Sequence, residues 1–484
     1  MQACPCQRMC DAQQIPPGDM CHYGAKRVVS GLQIWYNIRS TKLYRQTAPM
    51  HQGGDRMRKL IFHVDVNSAY LSWEAARRVA NGEPDLRLIP SAIGGDPEKR
   101  TGVILAKSIP AKQFQITTGE PVGLALRKCP DLVLAKPDFK LYVQCSRAFL
   151  AVCKKYAPVV EQVSIDECFC DFDNTERIYP DPLELACRIK DEIRDTLGFT
   201  VNVGISENKL LAKMASDFEK PDKVHTLYQR EIAEKMWPLP VGELFTVGKA
   251  TAERLTRARV RSIGDLARTD LETLTRMFGP KLGGHLHRYA NGIDPSPVLA
   301  QPEEAKGYSI STTLEDNVED YETAHRILLA LADSVCARMR ADASKAFCVA
   351  VTIRSNDFKN KSHQIKLREP TDGTTEVYEI AKKLFAELWN GKTPLRLLGI
   401  ALTDLTKEDY AQLSLFDGAA EKKIRSKKLD RTVDELRSKY GRSTIRRGAL
   451  LQNTHEVGRK YDAQMEEAGE QPRKKEDGAH HNRP

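Results

Sequence analysis

Residues 160–172 read V-E-Q-V-S-I-D-E-C-F-C-D-F, an apolar, strand-like run with two adjacent carboxylates, Asp166 and Glu167, inside it. Charges are almost never fully buried unless something neutralises them. A strand with period two sends the pair to opposite faces, so the chain must turn or bulge for both to reach one site. A surface hairpin with an acidic tip satisfies the same pattern. A second run decides between them. Leu60 to Val66, L-I-F-H-V-D-V, delivers Asp65 at its end and leads into N-S-A-Y-L-S-W-E-A-A. Two apolar strands that each present an aspartate suit a pair of hard cations such as Mg²⁺, which prefer carboxylate oxygen and keep positions open for phosphates. Two such ions ~4 Å apart clamp the attacking and leaving oxygens of a phosphoryl transfer.

His63-Val64-Asp65 with Tyr70, followed by Ser164-Ile165-Asp166-Glu167, resembles the signatures of the Y-family translesion DNA polymerases, and the likeness runs from about Met57 to about Gln452. The resemblance implies an α+β multidomain, right-hand polymerase. It would have a ferredoxin-like palm, small fingers, a helical helix-hairpin-helix thumb and a β-α-β-β-α-β little finger. It implies a DNA-directed DNA polymerase of low fidelity that adds dNTPs to a primer 3′ end without proofreading. Its catalytic residues would be Asp65, Asp166 and Glu167. These, with the Val66 carbonyl, would hold two Mg²⁺, and Tyr70 would be the steric gate against a 2′-hydroxyl. The partners implied are primer-template DNA, dNTPs and a bacterial sliding clamp, with the enzyme monomeric. Two rival classes are a DNA-bound scaffold with a dead palm and a metal-dependent nuclease or nucleotide cyclase. The intact acidic triad opposes the first, and the additional domains oppose the second.

At 484 residues the chain exceeds one core. The expected division is a Cys-containing leader (1–56), palm (57–74 and 131–236), fingers (75–130), thumb (237–297), linker (298–306), little finger (307–406) and tail (407–484). A net charge of +9 fits a polyanionic partner. No apolar run is long enough to span a bilayer and no signal peptide opens the chain. Cysteines from Cys129 onward have no paired spacing, which reads as reduced thiols in a cytoplasmic protein. Cys4, Cys6, Cys10 and Cys21 crowd the leader, where a small zinc site competes with a disordered or non-native segment.

Local patterning gives a helix over 67–81, strands over 86–94, 102–106 and 132–135, and a helix over 142–156. Beyond the acidic hairpin come a helix (183–197), a strand (200–205) and a helix (209–218). In Gly204 to Pro221, Lys209 opens that last helix, where dipole and cation together favour phosphate. The family pattern N-K-x-x-A-K-x-A-S-D…K-P assigns Lys209 to the β- and γ-phosphates. In the fingers the family's Y-x-A-R is replaced by Ile109-Pro110-Ala111-Lys112, which leaves Lys112 as the triphosphate contact. Val241 to Leu255 resembles a helix-hairpin-helix with Thr246 in place of its usual first glycine. Arg354, Lys359, Lys361, Lys366 and Arg368 suit backbone contacts with duplex DNA. Gln412, Leu413, Leu415 and Phe416 resemble a sliding-clamp-binding peptide. Beyond it Leu429, Val433, Leu436 and Tyr440 fall at helical spacing, as in a basic amphipathic helix.

Overall fold

The computed structural model describes residues 59–96, 102–408, 418–441 and 444–450. The leader (1–56) and the peptide Gln412–Phe416 lie outside the described residues.

The first sheet is built around β1 (Ile61–Val66), whose six residues are all buried. It runs antiparallel to β6 (Glu167–Asp171) on one side and β7 (Val201–Ser206) on the other, in the order β5-β6-β1-β7-β8, with β5 Val159–Gln162 and β8 Val224–Thr226. Phe62, Val64, Cys168, Cys170, Val201 and Val203 point to one face. There they share a core with α1 (Ala69–Ala80), α4 (Phe139–Tyr156) and α5 (Pro182–Leu197). Trp73, Tyr142, Phe149 and Phe199 are among the largest side chains of that core. The opposite face carries His63, Asp65, Glu167 and Asn202 and is covered by α6 (Lys209–Ser216). Gly204 makes this possible. A Cβ there would stand 2.0 Å from the Ala212 carbonyl oxygen and 2.5 Å from the Ser216 nitrogen. Read through β1, β5, β6 and β7, this is the expected ferredoxin-like order, with β8 added parallel to β7.

Inserted after α1 is a small unit of β2 (Ser91–Gly94), β3 (Ile104–Lys107), α2 (Ile109–Lys112), α3 (Val122–Lys128) and β4 (Val133–Ala135), in the order β3-β2-β4. The strand expected over 86–94 is only half realised. Asp85 accepts a hydrogen bond from the Arg87 amide and folds Leu86–Leu88 into a 3₁₀ turn, so pairing starts at Ser91. The expected division at 74/75 falls inside α1, whose Leu71, Trp73 and Ala75 all belong to the first core. The helix expected over 209–218 ends at Ser216.

Short helices α7 (Ile232–Lys235), α8 (Lys249–Arg257) and α9 (Ile263–Arg268) precede α10 (Leu271–Ala290), which is broken at Gly279-Pro280. Thr246 takes φ 76°, so the left-handed turn that a glycine would supply survives on a β-branched residue. Its hydroxyl sits 2.9 Å from His285 Nε2.

The second sheet contains β9 (Gly307–Val318), β10 (Lys345–Ser355), β11 (Asn360–Thr371) and β12 (Leu395–Thr406). It is backed by α11 (Tyr321–Ala341) and α12 (Thr374–Leu388). The element order repeats that of the first sheet, but the strand order, β11-β10-β12-β9, does not. Here the last strand, rather than the third, inserts between the first two. β11 is twelve residues long.

The tail helix α13 (Gly418–Tyr440) departs from the amphipathic expectation. Leu429 and Tyr440 are each 58 % exposed, whereas Asp430 is buried. The helix docks on α11 and α12 through charge. Asp430 accepts from the Thr374 amide at 2.9 Å and from Arg447 at 2.7 Å. Arg340 binds Asp434 at 2.6 Å, and Arg437 binds Asp333 at 2.8 Å. Among the described residues, no helix is long and apolar enough to cross a membrane.

Candidate active site

β1 and β6 are aligned so that Asp65 lies directly opposite Glu167. The β5–β6 hairpin supplies the third carboxylate. Its turn is closed by the Val163 and Ser164 amides donating to the Glu167 carbonyl. The Ser164 hydroxyl, 2.5 Å from Asp166 Oδ1, fixes that side chain. The Val66 amide donates to the Asp166 carbonyl at 2.9 Å, which stitches the turn to the end of β1. The turn thus breaks the alternation that would have separated Asp166 from Glu167. Asp65, Val66, Asp166 and Glu167 come together at one end of the sheet.

Two lysines share this end. Lys213, on α6, reaches Glu167 at 2.5 Å, and Lys220 pairs with Asp65 and with Asp217, the latter at 2.8 Å. Lys220 lies in a loop tied down by buried amides. Asn202 donates to the Ser216 and Glu219 carbonyls, while Asn67 accepts from the Asp222 amide. Burial pushes the Asp65 carboxyl up, against the pull of Lys220. Glu167 is held down at about 2 by its contact with His63 and, against burial, by Lys213.

His63 is fully buried between these groups. Ser216 gives its proton to the Lys213 carbonyl, so Nδ1 of His63 must be the donor to Ser216 Oγ, 2.8 Å away. Nε2 then faces Glu167 Oε2 at 3.3 Å. Burial lowers the imidazole pKa.

Tyr70 is half-buried and stacks on Tyr142 with ring centroids 4.6 Å apart. Burial and the Asp166 charge both raise its phenol pKa. Lys209 does not join the cluster. Its ammonium is held by both oxygens of Glu161 at 2.7 and 2.8 Å, one helical turn away from Lys213. Sequence reasoning passed over Lys213, Lys220 and His63, although all three stand in the motifs quoted for their neighbours.

In the small unit, the buried Ser108 hydroxyl accepts from the Ala111 amide and starts α2. Ala111 points inward while Ile109 and Lys112 are exposed on one side. Burial and the Lys112 charge lower the Lys107 pKa.

The carboxylates and the Val66 carbonyl form an all-oxygen donor set, and the two ammonium groups lying against it show that it attracts cations. Hard divalent ions fit such a set. A second group of ligand atoms, the thiols of Cys153, Cys168 and Cys170, gathers within 4.8 Å on the opposite face of β6. These soft, fully buried atoms do not belong to the oxygen site.

Three stretches of the chain match known family models. Residues 64–217 match the impB/mucB/samB family, residues 305–415 the C-terminal domain of that family, and residues 242–294 a DNA polymerase-iota thumb domain. The chain is 46 % identical over 399 residues to a DNA polymerase IV of Clostridium acetobutylicum, covering 82 % of this chain and 99 % of the relative. It is 37 % identical over 398 residues to DNA polymerase IV 1 of Bacillus subtilis, covering 81 % and 93 %. Among solved structures, a Y-family DNA polymerase chimera superposes with a TM-score of 0.62 at 21 % identity. That match spans 72 % of this chain and all of the chimera.

Proposed function

Since the chain belongs to the Y family of DNA polymerases, we propose that the acidic end of the first sheet is where it adds dNTPs to a primer 3′ end during synthesis across damaged template. The observation that carries this is the register that sets Asp65 against Glu167, with Asp166 brought alongside by the hairpin turn. Asp65, the Val66 carbonyl, Asp166 and Glu167 would hold two Mg²⁺. Bound there, the ions would lower the pKa of the primer hydroxyl and neutralise the triphosphate.

The protein's own groups do the rest. His63 and Ser216, hydrogen-bonded to one another, hold α6 against β1. Lys213 pairs with Glu167 and Lys220 with Asp65, and both ammonium groups would also suit phosphate oxygen. Lys107 and Lys112 face the same anion from the small unit. Tyr70, backed by Tyr142, forms a wall against a 2′-hydroxyl. Gly248, the N-cap of α8, makes no side-chain cap. Amides open there suit backbone phosphate without reading sequence.

The open face of the second sheet is floored by small and hydroxyl side chains: Ser309, Ser311, Thr352, Gly399 and Ala401. Lys366 rises from the edge strand β11 and Arg354 from the end of the inner strand β10. A duplex backbone could approach closely there, and cations at the rim would neutralise phosphates.

Primer extension read as a ladder of product lengths tests the reading. Asp166→Ala and Glu167→Ala should each abolish the ladder while DNA affinity stays within severalfold. A full ladder from either variant sinks the assignment. Shortened primers instead of longer ones would favour a nuclease.

A further inference from the structure

The β10–β11 hairpin ends in Asn356-Asp357-Phe358-Lys359, and Phe358 is 63 % exposed at its tip. Single exposed apolar side chains are ordinary, but this one is held in a way that a turn does not require. Phe358 takes φ 64°, the left-handed region in which bulky side chains are outliers and in which Gly or Asn would serve a plain reversal. Three backbone hydrogen bonds keep it there. The Phe358 amide donates to the Ser355 carbonyl at 3.0 Å and the Ser355 amide to the Lys359 carbonyl at 3.1 Å. The Asn356 amide donates to the Pro394 carbonyl on the neighbouring connection at 3.0 Å. The Arg396 guanidinium lies over one face of the ring, 4.8 Å from its centroid. Arg354, braced by Asn360 at 2.7 Å, and Lys361 flank the tip in the chain, and Lys359 pairs with Asp357 at 2.8 Å.

We infer that Phe358 is a stacking platform for an unpaired nucleobase, with Arg396 backing the ring and the adjacent cations receiving the strand's phosphates. An aromatic face set in a basic surround is how single-stranded nucleic acid is held without sequence preference, because every base has a π-face. A guanidinium stacked behind the ring adds to that contact. The ligand class is therefore single-stranded DNA, such as a template strand beyond its duplex. This site is separate from the acidic cluster of the first sheet and does not depend on how that cluster works.

The test uses the full chain and three fluorescent probes in one buffer of fixed salt. They are an oligothymidylate strand, a primer-template with a single-stranded 5′ extension, and a blunt duplex. Phe358→Ala should weaken binding of the first two by about 5- to 20-fold and leave the blunt duplex within about twofold. Phe358→Trp should restore it. A 2-aminopurine placed in the extension should be quenched by the unaltered protein and by the Trp variant but not by the Ala variant. Equal weakening on all three probes would mean general loss of the hairpin and would overturn the inference. Unchanged affinity for the single strand would also overturn it. Retained blunt-duplex binding and primer extension in the Ala variant would leave the polymerase reading standing either way.

Discussion

The docking of α13 invites a quantitative test at Asp430. This carboxylate is 3 % exposed and accepts two hydrogen bonds, from the Thr374 amide and from Arg447. The first is a cap supplied from a distant helix, since Gly373, at the start of α12, has no side chain to offer. Arg340 adds a longer contact at 3.6 Å but keeps Asp434 as its own partner. Asp430→Ala therefore orphans one buried amide and removes one charge-assisted bond, without stranding a buried guanidinium. Each such loss costs about 1–3 kcal/mol. The Arg447 contact is partly solvated and belongs at the low end. The sum is about 2–4 kcal/mol, which lowers the melting temperature of this domain by about 5–12 °C. Asp430→Asn keeps an acceptor for the amide and should lose about half as much. Calorimetry reads the transition, and hydrogen exchange reads both α13 and the first turn of α12. A melting point within a degree of the parent, or exchange that rises in α13 but not at Thr374–Val377, would show that the helix is not held through Asp430.

Four further outcomes are expected. Tyr70→Ala should admit ribonucleotides, lowering sugar discrimination by about 10- to 100-fold, the worth of a steric clash of 1–3 kcal/mol. Undiminished selectivity would leave Tyr70 as packing alone. Lys220→Met should raise the dNTP dissociation constant in single-turnover titrations about tenfold, after discounting for its partial exposure. Lys209→Met should change it little because Glu161 already holds that ammonium; the reverse ranking would return the phosphate role to Lys209. Ile109→Tyr with Lys112→Arg should tighten nucleotide binding, since Arg grips phosphate bidentately and Lys does not, and an unaltered titration curve would dissociate Lys112 from the triphosphate. Deleting Gln412–Phe416 should spare distributive synthesis yet abolish stimulation by a bacterial sliding clamp, and retained stimulation would locate the clamp contact elsewhere.

The acidic strands were legible in the sequence because their alternation is unbroken up to the charges. Leu60 to Val66 could only be a strand with its single acid, Asp65, near one end. The element order of both sheets was legible for the same reason. Strand order was not. Nothing in the patterning of Ala346 to Leu402 says that β12, and not β11, slips between β9 and β10. The choice among three lysines was also hidden, because it depends on how α6 lies across β7, and Gly204 fixes that by contact rather than by periodicity. Leu429, Val433, Leu436 and Tyr440 misled for a different reason. Apolar spacing predicts a buried stripe only when burial is what docks the helix. Here Asp430, Asp434 and Arg437, on the same helix, make the contact through ion pairs. The 3₁₀ turn at Leu86 was lost because Asp85 offers its side chain to the backbone, a local choice that competes with pairing.

The central place of β1 has a consequence for how the chain is made. Both of its neighbours lie far downstream, β6 by roughly 100 residues and β7 by roughly 135, so its pairings are among the most non-local in the protein. On a ribosome adding roughly 5–20 residues per second, β1 waits roughly 7 to 27 s before Val201–Ser206 exists to receive it. Until β6 (Glu167–Asp171) is made both edges of the strand are unpaired, and the edge that takes β7, with the face that α6 covers, stays open until the chain has passed Ser216. The same strand holds Asp65. The strand that carries Asp65 is thus made well before it is fully paired, and synthesis paused between Val66 and Val201 would leave a nascent chain with at least one edge of its central strand open to other chains.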